Sequence, residues 1–149
     1  MNRPDLKPGI LLCRHSVTSK KQLLESLCRH VAQHADVCER AILDAVIDRE
    51  KLGSTAIGDG IALPHATIPG AKTVISLLAT LESPVEFDSP DGKPVDIVML
   101  VIGGDGDGAG HLAALGLASR HLRASSDLLR AAGSDTALHD AVNGLLAAA

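Results

Sequence analysis

The sequence predicts an α/β sandwich: a single domain with a mixed, mostly parallel sheet of about five strands and helices on both faces. Two long apolar runs, Thr73 to Leu81 and Val95 to Ile102, are rich in β-branched residues and lack polar alternation, so they read as strands covered on both sides. Segments of helical periodicity lie before and after them. At 149 residues the chain can bury a continuous core without disulfides or a structural metal. No linker or internal repeat divides it, so residues 1–149 are expected to form one domain.

Each element has its own signal. Ile10 to Cys13 is a short buried strand. Ser19, with Gln22 three residues on, supplies a capping-box start for a helix through about His34, whose core face is Leu23, Leu24, Leu27, Cys28 and Val31. A second helix, about Glu39 to Lys51, turns Ile42, Ala45 and Val46 inward and stops at Gly53, a residue suited to a left-handed position. A glycine-punctuated segment then leads into a strand at Ile61 to Leu63. Between the two long runs, Pro84 to Pro94 carries Val85-Glu86-Phe87 and a turn signal at Asp91-Gly92, which predicts a hairpin arm or edge strand, the prolines arguing against a central one. From His111 a helix places Leu112, Leu115, Ala118, Ser119 and Leu122 on one face. A short helix is expected at about Asp127 to Ala132, and Ser134 caps a last one to about Leu146.

Composition excludes several classes of function. Hydrophobic residues are 46 % and charged residues 21 %, with a formal charge of -4, the balance of a globular protein. The acidic excess, and a single aromatic residue, Phe87, leave no footprint for nucleic acid. The first apolar stretch is too short for a signal peptide or a membrane span, so no membrane insertion is expected. Cys13, Cys28 and Cys38 cannot all pair and include no Cys-x-x-Cys, which fits a reducing, cytoplasmic setting.

The residues that carry chemistry crowd between Arg49 and His65. A cation at Arg49, hydroxyls at Ser54 and Thr55, glycines at Gly58 and Gly60, and the imidazole of His65 fall within this run. The glycines allow turn conformations that bring backbone N–H groups toward an oxyanion, and the two hydroxyls can add donors. Pro64 holds Leu63 extended, sending the chain out of the strand at His65, and ligands of α/β sheets bind at strand ends. A neutral imidazole is a competent nucleophile near neutral pH, and the charge on a transferred phosphoryl group would be met by Arg49, a second histidine and backbone amides. The plain alternative is that Arg49 complements a helix C-terminus and His65 is structural.

Other clusters are weaker. Gly103 to Gly110 lacks the Gly-Lys-Ser/Thr of a phosphate loop and is one copy where a calcium solenoid needs many, so it reads as a connection that places His111 in the first turn of a helix. His30, His34 and Cys38 are four apart, but the third falls beyond the expected helix end, and structural zinc sites need three or four convergent ligands. No metal and no cofactor is expected. His15, His121 and His139 carry no assignment.

The run from Arg49 through Gly53-Ser54-Thr55-Ala56-Ile57-Gly58-Asp59-Gly60 to Leu63-Pro64-His65 resembles the signature of the fructose/mannitol-type enzyme IIA family of the bacterial phosphoenolpyruvate-dependent phosphotransferase system. The resemblance extends through Pro84 to Asp88 and Asp91 to Asp96 to the helix at His111. It implies that His65 is phosphorylated, that His111 is the second active-centre histidine, and that Arg49 is a cation near the phosphoryl group. It also implies a histidine phosphocarrier protein as donor. Ser19-Lys20-Lys21, Ile68-Pro69-Gly70 and Leu117 to Arg123 resemble the nitrogen-regulatory branch, which implies regulatory target proteins as partners. The alternatives are a sugar-transport component passing phosphate to a cysteine of a IIB module, and a non-catalytic interaction module. Asp59 stands where many relatives carry Asn, and a carboxylate there would repel a phosphoryl group unless turned away or paired.

Overall fold

A computed structural model describes residues 8–69, 74–104 and 108–147; within the last stretch the side chains of 108–112, 114 and 144–147 are outside the description. The elements run β1 (Ile10–His15), α1 (Lys20–His34), α2 (Glu39–Leu52), β2 (Ala56–Gly58), β3 (Ile61–Ala62), β4 (His65–Ile68), β5 (Ile75–Val85), β6 (Val95–Gly104), α3 (Gly108–Ala131) and α4 (Asp135–Ala147). They form a mixed six-stranded sheet in the order β1-β5-β6-β3-β2, with β4 also on β6. The β1–β5, β3–β6 and β4–β6 pairings are parallel, and β2–β3 and β5–β6 antiparallel.

The long apolar runs are central strands because they feed two cores at once. Leu77, Ala79 and Leu81 of β5 and Val98, Leu100 and Ile102 of β6 face one layer, with Leu23, Leu27 and Val31 of α1 and Ile42 and Val46 of α2. The alternate residues Leu78, Ile97, Met99 and Val101 face the other, with Leu115, Ala118 and Leu122 of α3 and Leu138 and Val142 of α4. Helices therefore cover both faces, as the unbroken apolar patterns require. Each fully buried Leu or Ile contributes about 1.5–3 kcal/mol relative to exposure.

The helix starts follow their caps, with one variation. Ser19 Oγ accepts from the Gln22 amide at 3.1 Å, while Gln22 Oε1 reaches back to the amide and hydroxyl of Thr18, one residue before the expected partner. Ser134 Oγ likewise accepts from the Ala137 amide. Gly53 ends α2 at φ 154°, ψ 149°, a glycine conformation but not the left-handed helical one.

Three expectations change. The residues expected as two helices, from His111 and again at Asp127 to Ala132, form the continuous α3, since neither Gly nor Pro interrupts Leu117 to Ala131 and Leu122 and Leu129 lie on one buried stripe. Pro84 to Pro94 forms no separate edge strand. Val85 extends β5 past an irregularity to pair with Val95, and Pro84 is tolerated because β1 pairing ends at Leu81, leaving that side of β5 open. Phe87 then turns inward and is fully buried, ahead of a turn in which the Gly92 amide bonds the Ser89 carbonyl. The strand at Ile61 resumes after Pro64 as β4, so the chain does not leave the sheet at His65 but re-enters it: His65 is the first residue of β4, at the interruption between β3 and β4 beside β6.

Candidate functional site

His65 is set by the backbone on either side of that interruption. Ile61 and Ala62 pair with Ile97 and Val98, then His65 resumes opposite Val101, whose amide bonds the Pro64 carbonyl at 3.0 Å. The Leu63 amide bonds the Thr55 carbonyl at 3.1 Å, tying the segment back to the loop after α2. The ring then folds onto its own chain, with Nδ1 of His65 2.8 Å from the Leu63 carbonyl oxygen. A carbonyl only accepts, so Nδ1 carries the proton, and in the neutral ring the lone pair lies on Nε2.

Two clefts meet at this half-buried imidazole. One, of about 370 Å³, is lined by Arg49, Ser54, Thr55 and Leu63, and by Leu115, Gly116 and Ser119 of α3. The other, of about 420 Å³, runs past Ala45, Asp48, Leu52 and Thr67. Arg49 and His65 line both. Arg49 leaves the last turn of α2, and its Nη1 donates to the Gly53 carbonyl at 2.9 Å, which holds the guanidinium at the cleft and also satisfies a carbonyl at the helix end. The side chain thus complements the helix end and, at the same time, lines the cleft at His65.

The hydroxyls reach the cleft but their protons go elsewhere. Ser54 Oγ donates to the Phe87 carbonyl at 2.6 Å and accepts from the Ala56 amide at 3.1 Å. Thr55 Oγ1 donates to Glu50 Oε1. The residue types suggest phosphate donors, but here both hydroxyls brace the wall of the cleft.

Gly58 and Gly60 are displaced further from the expectation. Neither is among the described residues lining the His65 clefts. They flank Asp59 at the β2–β3 turn, at φ 91° and 78°, with Asp59 at 57°. The Asp59 amide is taken by Asp91 Oδ2 at 2.9 Å, and its carbonyl by Nη2 of Arg130, whose Nε also holds both oxygens of Asp96. The Asp59 amide, with the Ser89 hydroxyl and Lys93 amide, holds the Asp91 carboxyl down at about 2. This turn lines a separate cleft with Lys93, Arg123 and Arg130. Asp59 is exposed there, so its carboxylate belongs to different surroundings from His65.

His111 lies in the first turn of α3, which begins at Gly108, three residues before the expected start. Its side chain is outside the described residues; Leu115, one turn on, is at the cleft. His30 and His34 use Nδ1 to bond the carbonyls of Ser26 and His30, and His15 packs edge-on to His30 with Nε2 2.7 Å from Ser26 Oγ. Among the described residues no group of three or more His, Cys, Asp and Glu could hold a metal, and no helix is long and apolar enough to cross a membrane.

Sequence reading missed Glu50, Lys20 and the inward place of Phe87. Glu50 follows Ile42 and Val46 at helical spacing, so a carboxylate continues a buried stripe, and that was its available signal. Its side chain is 6 % exposed and bonds Lys20 Nζ at 3.0 Å.

A family model described as phosphoenolpyruvate-dependent sugar phosphotransferase system, EIIA 2, matches residues 6–143. The chain belongs to this family. A nitrogen regulatory protein of Bradyrhizobium diazoefficiens is 42 % identical over 116 residues, covering 78 % of this chain and 76 % of that protein. The crystal structure of nitrogen regulatory protein IIA-Ntr from Neisseria meningitidis superposes with a TM-score of 0.79 at 29 % identity, over 89 % of this chain and 92 % of the other. The mannitol IIA of Escherichia coli, at 17 % identity, shares the fold with a TM-score of 0.73 over 89 % and 94 %. The mixed sheet between two helical layers is therefore the IIA fold, and the relatives by sequence include several with nitrogen-regulatory names as well as a sugar-specific EIIABC component of Escherichia coli.

Proposed function

We propose that the chain is a phosphoryl-transfer protein of the phosphotransferase system with a regulatory output, in which His65 is phosphorylated on Nε2. The observation that carries the reading is the hydrogen bond from His65 Nδ1 to the Leu63 carbonyl, made in a cleft that also holds Arg49. It keeps the proton on Nδ1 and the lone pair on Nε2 before any donor arrives. In the transfer, the Nε2 lone pair forms a bond to phosphorus as the nitrogen–phosphorus bond of the donor's phosphohistidine breaks. Nδ1 keeps its proton and its hydrogen bond throughout.

Such a step leaves little covalent work to the protein beyond positioning and meeting charge. Arg49 supplies a fixed cation, and His111 is proposed as the second group of the active centre. With the hydroxyl protons of Ser54 and Thr55 and the amide of Asp59 engaged elsewhere, recognition of the phosphoryl oxygens rests on Arg49 and His111. The proposed donor is a histidine phosphocarrier protein in the cytoplasm, and regulatory target proteins read the phosphorylation state by binding. Residues 1–149 act as one unit in this reading. The nitrogen-regulatory relatives favour it over a sugar-transport IIA that would pass phosphate to a IIB cysteine.

Incubation with phosphoenolpyruvate, enzyme I and the phosphocarrier is expected to give an acid-labile, base-stable phosphoadduct that His65→Ala loses entirely. Normal labelling of His65→Ala would show the assignment to be wrong, and absence of label on the folded wild type would favour a non-catalytic module. His111→Ala is expected to slow labelling or its reversal without abolishing it; wild-type rates both ways would remove His111 from the centre. Rapid transfer to an added IIB module would favour the transport reading.

A further inference from the structure

A line of hydrogen bonds runs from the ion pair of half-buried Lys20 with the buried Glu50 carboxylate to the imidazole. Glu50 Oε2 bonds Lys20 Nζ at 3.0 Å and accepts from the Thr55 amide at 3.3 Å, and Oε1 accepts the Thr55 hydroxyl. The Thr55 carbonyl accepts from the Leu63 amide at 3.1 Å, and the Leu63 carbonyl accepts from His65 Nδ1 at 2.8 Å. Glu50 thus holds Thr55 through two donors, Thr55 holds Leu63 through its carbonyl, and Leu63 orients the ring.

The anchor is fixed from several sides. Lys20 is the first residue of α1, and its ammonium sits 4.3 Å above the centre of the Phe87 ring. Phe87 is fully buried, and its carbonyl accepts the Ser54 hydroxyl next to Thr55. A carboxylate only 6 % exposed is costly unless paired and hydrogen-bonded. Here one cation and two donors from Thr55 meet it, so its position is set by its partners. Removing the Thr55 bonds would free the loop end to which the Leu63 amide is tied.

We propose that Glu50, held by Lys20, is a positioning residue for His65, acting through Thr55 and Leu63 to fix the orientation of the imidazole and its Nδ1–H tautomer. It touches neither donor nor phosphoryl group. The proposal deepens the phosphohistidine reading and rests on it for the effect on transfer, but the tautomer can be read without any transfer.

Two variants test it. Glu50→Gln keeps the shape but leaves one carbonyl oxygen where the carboxylate offers two, and Thr55→Val removes only the hydroxyl. Thr55→Ser restores that hydroxyl. Long-range proton–nitrogen NMR of the imidazoles, with His65→Ala assigning the signals, is expected to show His65 almost wholly as the Nδ1–H form in wild type and Thr55→Ser. A measurable Nε2–H population should appear in Glu50→Gln and Thr55→Val. The rate of labelling at saturating phosphocarrier is expected to fall about tenfold in those two variants, less than the ~100-fold that a full 1 Å misplacement can cost because the ring is loosened and not displaced, with the phosphocarrier concentration for half-maximal rate unchanged. If either variant folds with the wild-type tautomer and rate, the positioning role is refuted. If only one folds, that one decides. If the tautomer shifts while His65→Ala still labels, the positioning stands and the phosphohistidine reading falls.

Discussion

Replacing Phe87 by Ala and by Leu separates two contributions that meet in one ring. Phe87 is the only aromatic residue in the chain, is fully buried among Ile42, Val46 and the β5–β6 core, and lies under the Lys20 ammonium. Removing a buried phenyl ring costs about 3–5 kcal/mol through lost transfer energy and the cavity left behind. Losing a cation–π contact to a partly desolvated Lys adds about 1 kcal/mol. Phe87→Ala is therefore expected to destabilise by about 4–6 kcal/mol, a large share of the 5–15 kcal/mol of a typical domain. Phe87→Leu restores most of the apolar volume, so its cost should be about 1–2 kcal/mol, mainly the lost cation–π contact and imperfect shape. With no Tyr or Trp to follow by fluorescence, urea unfolding is read by far-UV circular dichroism. A Phe87→Ala cost below about 1 kcal/mol would place the ring outside the core, and a Leu cost equal to that of Ala would mean apolar burial is not the main term.

Four further outcomes follow from separate parts of the structure. A Cβ at Gly60 would lie 2.5 Å from Arg130 Nη2 and 2.8 Å from Asp96 Oδ1, whereas one at Gly92 meets nothing within 4 Å, and both have positive φ. By thermal unfolding, Gly60→Ala should cost about 1–2 kcal/mol more than Gly92→Ala; equal costs would contradict the Arg130 clamp. Burial, and then the charge of Glu39, pushes the Cys28 thiol up to about 12, so near neutral pH a thiol reagent should modify exposed Cys38 quickly and Cys28 only as the protein unfolds. Comparable labelling of the two would put Cys28 outside the core. Burial, and then His30, lowers the His15 pKa below its ordinary 6.5, so the unfolded state takes up its proton first and stability falls as pH drops through 6.5 toward the folded value. His15→Gln should flatten the urea midpoint over that window, and an unchanged slope would remove the effect. Asp59→Asn keeps a residue suited to φ 57° and lies apart from the His65 clefts, so phosphoryl-transfer rate should stay within about twofold of wild type; a tenfold change would bring its carboxylate back to the phosphoryl group.

The layers were legible because their signal is periodic. Leu23 to Val31 repeats at helical spacing, and the β5 and β6 runs have no polar face, which leaves a sheet sandwiched between helices as the simplest solution. Legibility failed where tertiary partners decide. Nothing local says that Phe87 turns inward or that Val85 rejoins β5 after Pro84; β6 supplies the reason. At the site, residue types pointed to Arg49 and His65 meeting, but not to where each donor goes. The protons of Ser54 and Thr55 are taken by Phe87 and Glu50, 33 and 5 positions away. Glu50 itself was hidden because an acidic residue on a helix is ordinarily solvated.

The two glycines show how a motif residue can serve a site it does not touch. β2 and β3 are antiparallel and very short, so the chain must reverse within Gly58 to Gly60, and the three successive positive φ values there accomplish it. That reversal returns Leu63 beside Thr55, where its amide finds the Thr55 carbonyl, and brings β3 onto β6, from which Pro64 and His65 emerge. Asp91 and Arg130 then hold the turn from outside. A phosphate loop would need these amides pointing at the ligand, whereas the Asp59 amide is closed by a carboxylate. The glycines thus govern His65 through the path of the backbone, and a substitution at Gly60 should disturb the imidazole only to the extent that it moves Leu63.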